Sequence, residues 1–241
     1  MEAIQSFDKI IIFPDIHGRT FWNEVNLKEY DKAIFLGDYV DPYPEEGIDA
    51  DAALNNFKEI IKLNNRNPNK IVFLLGNHDL HYMFDNFVTS TRYSKKNATA
   101  YSQLFSANKN LFNLAYQCSQ NGKEYLFTHA GLVIEWFERN MDIMETDYAS
   151  ADALNKLLTV PGGIQSLSEL SFYRGGLYNE GSIVWSDVRE KLSKNHREIT
   201  DFYQIFGHTM LKEGCMIDNK YWACIDCQRP VSLIDNKLTI L

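Results

Sequence analysis

The chain has 241 residues, 45% of them hydrophobic, with a formal net charge of −8 and a pI near 5.3. That is enough apolar material for a single domain with a sizeable core, and it excludes wholesale disorder. The acidic balance argues against a broad nucleic-acid or anionic-membrane surface, and no apolar run approaches the roughly 20 residues that span a bilayer.

In chain order, Met1 to Lys9 carries two acids and no long apolar stretch, so no secretory leader is expected. Lys9-Ile10-Ile11-Ile12-Phe13 reads as a buried strand, ending in Pro14-Asp15-Ile16-His17-Gly18-Arg19. Ala33-Ile34-Phe35-Leu36 is a second strand, ending in Gly37-Asp38-Tyr39-Val40-Asp41. Asp49 to Asn64 places Ala53, Leu54, Phe57, Ile60 and Ile61 at helical spacing, with Asp49 and Asp51 in the first turn and a stop at Asn67-Pro68. Lys70 to Leu75 is a third strand, ending in Gly76-Asn77-His78-Asp79. Ala98 to Cys118 is read as largely helical, with Tyr101, Leu104, Phe105, Leu111, Leu114 and Ala115 as a core-packing stripe.

Glu124 to Phe127 is a fourth strand, ending in Thr128-His129-Ala130-Gly131. Residues 132–200 are the least legible: helical patterns at Ala149 to Leu158 and Val188 to Asp201 flank Pro161 to Gly181, whose composition suits a cap or substrate loop. Tyr203 to Phe206 is a fifth strand, ending in Gly207-His208-Thr209. Cys215 to Leu241 reads as an antiparallel meander finishing a sheet, with tight turns at Asp218-Asn219 and Asp235-Asn236. No repeat or linker interrupts the chain, so 1–241 is taken as one domain. The four cysteines are few and irregularly spaced, which points to a reducing, cytoplasmic setting.

A single strand ending in Asp, Asn or His is an ordinary turn. Five in a row are not. In α/β sheets, strands that run the same way put their carboxyl ends on one edge, where ligands bind. That edge would gather Asp15, His17, Asp38, Asp41, Asn77, His78, His129 and His208. Three carboxylates converging there would repel one another unless cations intervene. Carboxylate, imidazole and amide ligands suit divalent Mn, Fe, Zn or Mg, manganese being the first choice here. The donors are too many for one tetrahedral zinc and fit two ions about 3.5–4 Å apart that share a carboxylate.

Five motifs, Asp15-x-His17-Gly18, Gly37-Asp38-x-x-Asp41, Gly76-Asn77-His78-Asp79, His129-Ala130-Gly131 and Gly207-His208-Thr209, come in an order that resembles the calcineurin-like metallophosphoesterases and, within them, the phosphoprotein phosphatase branch. The resemblance implies a four-layer αββα sandwich with the site at the strand ends. It implies that Asp15 and His17 hold the first ion, that Asp38 bridges both, and that Asn77, His129 and His208 hold the second. His78 would protonate the leaving oxygen, oriented by Asp41, while a hydroxide between the ions attacks phosphorus. A phosphomonoester is the expected substrate, carried by a phosphoprotein or a small molecule.

The sequence departs from that pattern. Pro42 and Tyr43 follow Asp41 where the branch has arginine and glycine, so the guanidinium that grips phosphate must come from elsewhere. Arg189, Arg174 and Arg19 are the candidates, in that order; Ile183 to Asp187 also resembles the branch's tryptophan-serine-aspartate element. Asp79 stands where glutamate is usual. The missing arginine favours the rival reading, a dinucleoside polyphosphate or phosphodiester hydrolase. A non-catalytic scaffold is a second rival, but it predicts lost ligands. Among weaker signals, Cys224 and Cys227 have zinc-ligand spacing without a second pair and read as structural. His81 reads as packed, His196 as solvated and Glu45-Glu46 as an exposed loop.

Overall fold

The computed structural model describes residues 4–193 and 196–241. Its strands are β1 (Lys9–Phe13), β2 (Lys32–Phe35), β3 (Ile71–Leu74), β4 (Phe112–Asn113), β5 (Ala115–Gln120), β6 (Lys123–Thr128), β7 (Tyr203–Phe206), β8 (Ile217–Asp218), β9 (Trp222–Cys224), β10 (Val231–Ile234) and β11 (Lys237–Ile240). The helices are α1 (Ala50–Arg66), α2 (Asn77–Met83), α3 (Ala98–Ala107), α4 (Ile134–Arg139), α5 (Met141–Met144), α6 (Ala151–Lys156), α7 (Gly163–Leu167) and α8 (Val188–Lys191). Two mixed sheets result, ordered β11-β10-β1-β2-β3-β4 and β5-β6-β7-β9-β8, with helices flanking them.

Alternation along the strands builds the layers. Ile10, Ile12, Ile34, Leu36, Val72 and Leu74 meet Tyr125, Phe127, Tyr203 and Ile205 of the other sheet in one buried cluster. Their neighbours Ile11, Phe13, Ala33, Phe35 and Phe73 turn the other way, onto Phe57 and Ile60 of α1 and Tyr101 and Phe105 of α3. β1, β2 and β3 are parallel, with Ile12, Ile34 and Val72 side by side, so their carboxyl ends share one edge. β6 and β7 are likewise parallel in the second sheet.

α1 begins where the sequence places it, with the Asp49 carboxylate accepting from the Ala52 N–H at 2.7 Å. Its Phe57 ring stacks on Tyr39 at 4.8 Å and packs against Phe105 at 4.7 Å. Tyr39 directly follows Asp38, so this contact also supports the site loop. Phe57→Ala is expected to cost about 3–5 kcal/mol of stability, read by equilibrium urea unfolding; a loss below about 1 kcal/mol would show that the cluster collapses around the gap.

Three expectations need correction. The stretch Ala98 to Cys118 is helical only to Ala107. Phe112–Asn113 pairs with β3, and Ala115–Gln120 pairs antiparallel with β6, because open strand edges compete with the helical preference of this segment. The tail does not finish a single sheet. The β8–β9 hairpin joins the second sheet beside β7, whereas β10–β11 joins the first beside β1. In Val188 to Asp201, helix forms only at α8; residues 194–195 lie outside the described residues, and Ile199 and Phe202 enter the core from irregular backbone. α6 forms within Ala149 to Leu158, whereas α7 and a short 3-10 turn at Phe172–Arg174 lie inside the stretch read as loop. Cysteines 118, 215, 224 and 227 are all free, and no helix among the described residues is long and apolar enough to cross a membrane.

Candidate active site

β1, β2 and β3 deliver Asp15 and His17, Asp38 and Asp41, and Asn77 and His78 to one edge; β6 and β7 of the second sheet deliver His129 and His208. All eight side chains belong to buried residues. Four of these residues have positive φ: His17 (44°), Asp38 (52°), Asp41 (58°) and His208 (64°). A left-handed residue just past a strand end turns the chain sharply, and such strain in non-glycine residues collects at functional sites. Two glycines let the loops close. Gly37 has a φ of +107°, and a Cβ there would lie 2.4 Å from the Gly76 nitrogen; a Cβ on Gly76 would lie 2.1 Å from Asp38 Oδ1.

The donor set is arranged for a cation. His129 Nδ1–H donates to the Leu36 carbonyl at 2.9 Å, so its Nε2 presents a lone pair inward. That lone pair lies 3.1 Å from Asn77 Oδ1, 3.1 Å from His208 Nδ1 and 3.5 Å from Asp38 Oδ2. His17 Nδ1–H donates to the Val40 carbonyl at 2.8 Å, which leaves its Nε2 facing Asp38 Oδ2 at 3.4 Å and Asp15 Oδ2 at 4.0 Å. Acceptors that face one another with few protons between them require positive charge. Asp15, Asp38, His129 and His208 each offer a ligand atom within 4.8 Å of the others. Asp38 Oδ2 lies within 3.5 Å of both His17 Nε2 and His129 Nε2. Ser90 Oγ accepts from the Asn77 amide at 2.9 Å and so aims Oδ1 at His129.

Burial dominates the electrostatics. It pushes the Asp15 carboxyl up, drives His208 well below the ordinary imidazole range, and lowers His17 to about 3, keeping both rings neutral and ready to ligate. Burial would raise Asp38 as well, but the imidazoles of His129, His78 and His17 hold it below the ordinary carboxylate range.

Beside this cluster, His78 Nδ1 lies 3.0 Å from Asp41 Oδ2. Asp41 also receives His81 Nε2 at 2.9 Å and the Tyr82 hydroxyl at 2.5 Å. The His81 tautomer is set by the Ser90 N–H, which donates to its Nδ1. Burial acts to raise Asp41, yet its bonds to His78 and His81 leave it lowered overall. His78 therefore turns Nε2 toward a cavity of about 240 Å³, lined by Asp15, His17, Asp38, Asn77, His208 and Arg174 among others.

A family model described as calcineurin-like phosphoesterase matches residues 8–216. The chain belongs to this family. Among solved structures, a cold-active protein-tyrosine phosphatase of the psychrophile Shewanella sp. superposes with a TM-score of 0.61 at 16% identity, covering 99% of this chain and 79% of that one. A protein serine/threonine phosphatase from Saccharomyces cerevisiae with similarity to human phosphatase PP5 gives 0.53 at 14% identity, over 95% and 73% of the two chains. No curated sequence matches.

This calcineurin-like phosphoesterase places the three candidate arginines differently. Arg174 lines the cavity, donating to Thr209 Oγ1 at 2.8 Å and pairing with Asp187 at 2.9 Å. Arg19 pairs with Glu46 at 2.6 Å and donates to the Asp15 carbonyl, outside the cavity lining. Glu46 is thus a partner rather than merely exposed. Arg189, half exposed, pairs with Asp187 and donates to the Tyr173 carbonyl, also away from the lining.

Asp79 does keep a carboxylate's work: it accepts from the N–H groups of Asp38 (2.7 Å), Tyr39 (3.0 Å) and Gly76 (2.8 Å), locking two site loops together. The His196 side chain is enclosed rather than solvated, and burial lowers it to about 4. Ser90 and Arg92, which motif reading passes over, line the cavity, and His81, read from the sequence as packed, is buried against Asp41. All follow the third motif closely, and that proximity is their only sequence signal.

Proposed function

We propose that this calcineurin-like phosphoesterase hydrolyses phosphomonoesters with two divalent ions, manganese first among them. One observation carries the reading: a buried cluster of inward-facing acceptors adjoins a His78–Asp41 pair that opens on the same cavity. Asp15 and His17 would hold the first ion, Asn77, His129 and His208 the second, with Asp38 shared. Such ions, when bound, polarise a phosphoryl oxygen and lower the pKa of water. His78 holds a proton at Nε2 for the leaving oxygen, and Asp41 fixes its ring. The 132–200 region contributes Leu170, Arg174 and Trp185 as cavity wall, in keeping with a substrate loop on one domain. A phosphorylated protein or small molecule in a reducing, cytoplasmic setting is the expected substrate. The two phosphatase neighbours are consistent with it, although identities of 14–16% speak to fold alone.

A second reading, hydrolysis of a dinucleoside polyphosphate or phosphodiester, draws on the exposed ring of Phe172, two residues from Arg174 of the cavity wall, as a surface for a base. Stripping the protein with a chelator is expected to abolish release of phosphate from a phosphopeptide, and added manganese to restore it. Activity indifferent to chelation would contradict the proposal. A phosphodiester and a dinucleoside tetraphosphate assayed alongside separate the two readings.

A further inference from the structure

Arg92 lies on the loop between α2 and α3, with a φ of 63° that few arginines adopt. Two contacts hold its guanidinium. Nε donates to the Asp41 carbonyl at 3.0 Å, and Cζ lies 3.8 Å from the centroid of the Tyr43 ring, which brings Nη2 within 3.3 Å of His17 Nε2 and His78 Nε2 at the cavity. Arg92 and Tyr43 both line the cavity. Arg19 is paired with Glu46, and Arg174 and Arg189 share the carboxylate of Asp187. Arg92 has no such ion pair among the described residues, so its charge remains available to an anion. Its anchors are the carbonyl of Asp41 and the ring two residues further on. These flank Pro42, the position where the resembling branch carries arginine.

We propose that Arg92, braced by Tyr43 and the Asp41 carbonyl, grips a terminal phosphate and makes this site select phosphomonoesters over phosphodiesters. The proposal rests on the phosphoesterase reading above. A monoester near neutral pH carries up to two negative charges on three terminal oxygens; a diester carries one charge on two. A planar guanidinium with a fixed edge adds charge-assisted hydrogen bonds to the oxygen that a diester has esterified. Tyr43 contributes through Arg92, as the shelf that fixes its plane.

The test compares wild type, Arg92→Ala, Arg92→Lys and Tyr43→Leu, each loaded with manganese. On p-nitrophenyl phosphate, Arg92→Ala should lower kcat/KM by about 10- to 100-fold, and it should lower the monoester-to-diester ratio, with bis-p-nitrophenyl phosphate as diester, at least about tenfold. Arg92→Lys, which keeps the charge and loses the fork, should fall between. Tyr43→Leu should shift the ratio in the same direction by less. Calorimetric titration with inorganic phosphate should show roughly tenfold weaker binding to Arg92→Ala. Equal losses on both substrates, unchanged phosphate binding, or loss of metal content or folding in Arg92→Ala would overturn the assignment. A wild type that binds phosphate through Arg92 but turns over neither substrate would instead defeat the functional reading and leave Arg92 as the anion grip.

Discussion

Asp38→Asn is expected to bind fewer than two manganese ions per chain and to lose roughly 10³-fold or more in phosphatase turnover, the effect of several kcal/mol of missing charge stabilisation. The geometry gives the reason. Asp38 Oδ2 lies 3.4 Å from His17 Nε2 and 3.5 Å from His129 Nε2, between two imidazoles whose protons are committed to the Val40 and Leu36 carbonyls. Its other oxygen, Oδ1, accepts from the His78 N–H at 2.9 Å. An amide can keep that one bond through its oxygen, so the loop keeps its path. It then turns an NH2 group, a donor, toward two lone pairs that need a cation. Metal analysis and titration on the purified variant decide the matter: two ions bound with wild-type affinity would remove Asp38 from the shared position.

His78→Asn is expected to retain metal content and to cut turnover by about 10²–10⁴-fold on a substrate with a poor leaving group, such as a phosphoserine peptide. On p-nitrophenyl phosphate, whose leaving group needs no proton at neutral pH, the loss should be much smaller. The contrast follows from the ring's placement: Nδ1 is held 3.0 Å from Asp41 and Nε2 opens on the cavity, whereas the ligand cluster draws only on the His78 main chain. His81 and Tyr82 also bond to Asp41, so they brace the same carboxylate. Equal losses on the two substrates would assign His78 to binding rather than to proton delivery.

Much of the frame is legible in the sequence. β1 and β7 lie where their apolar runs predict, and α1 starts at the Asp49 cap and stops at Asn67. The reason is local: burial on both faces demands unbroken apolar residues, and a helix face demands a 3.6-residue period. Other parts resist for reasons equally physical. The hairpin of β5 and β6 has an Asn121-Gly122 turn with φ of 46° and 78°, a tight-turn signal, but Leu111, Leu114 and Ala115 also fit a helical stripe and mask it. In the tail, the alternating pattern marks two hairpins correctly, yet alternation carries no information about which sheet has the open edge.

The site divides along the same line. Residue order by itself determines that five strands end in carboxylate, amide or imidazole side chains, because each strand and the turn that ends it are written in adjacent residues. Tertiary structure alone decides which arginines reach the cavity: Arg174 and Arg92 do, whereas Arg19 and Arg189 do not. Arg189, adjacent to the Trp-Ser-Asp element, turns to Asp187 and the surface, while Arg92 crosses from a separate loop to lie on Tyr43. A long cationic side chain goes where a carbonyl and a ring face meet, and those two come together only once the loops have packed.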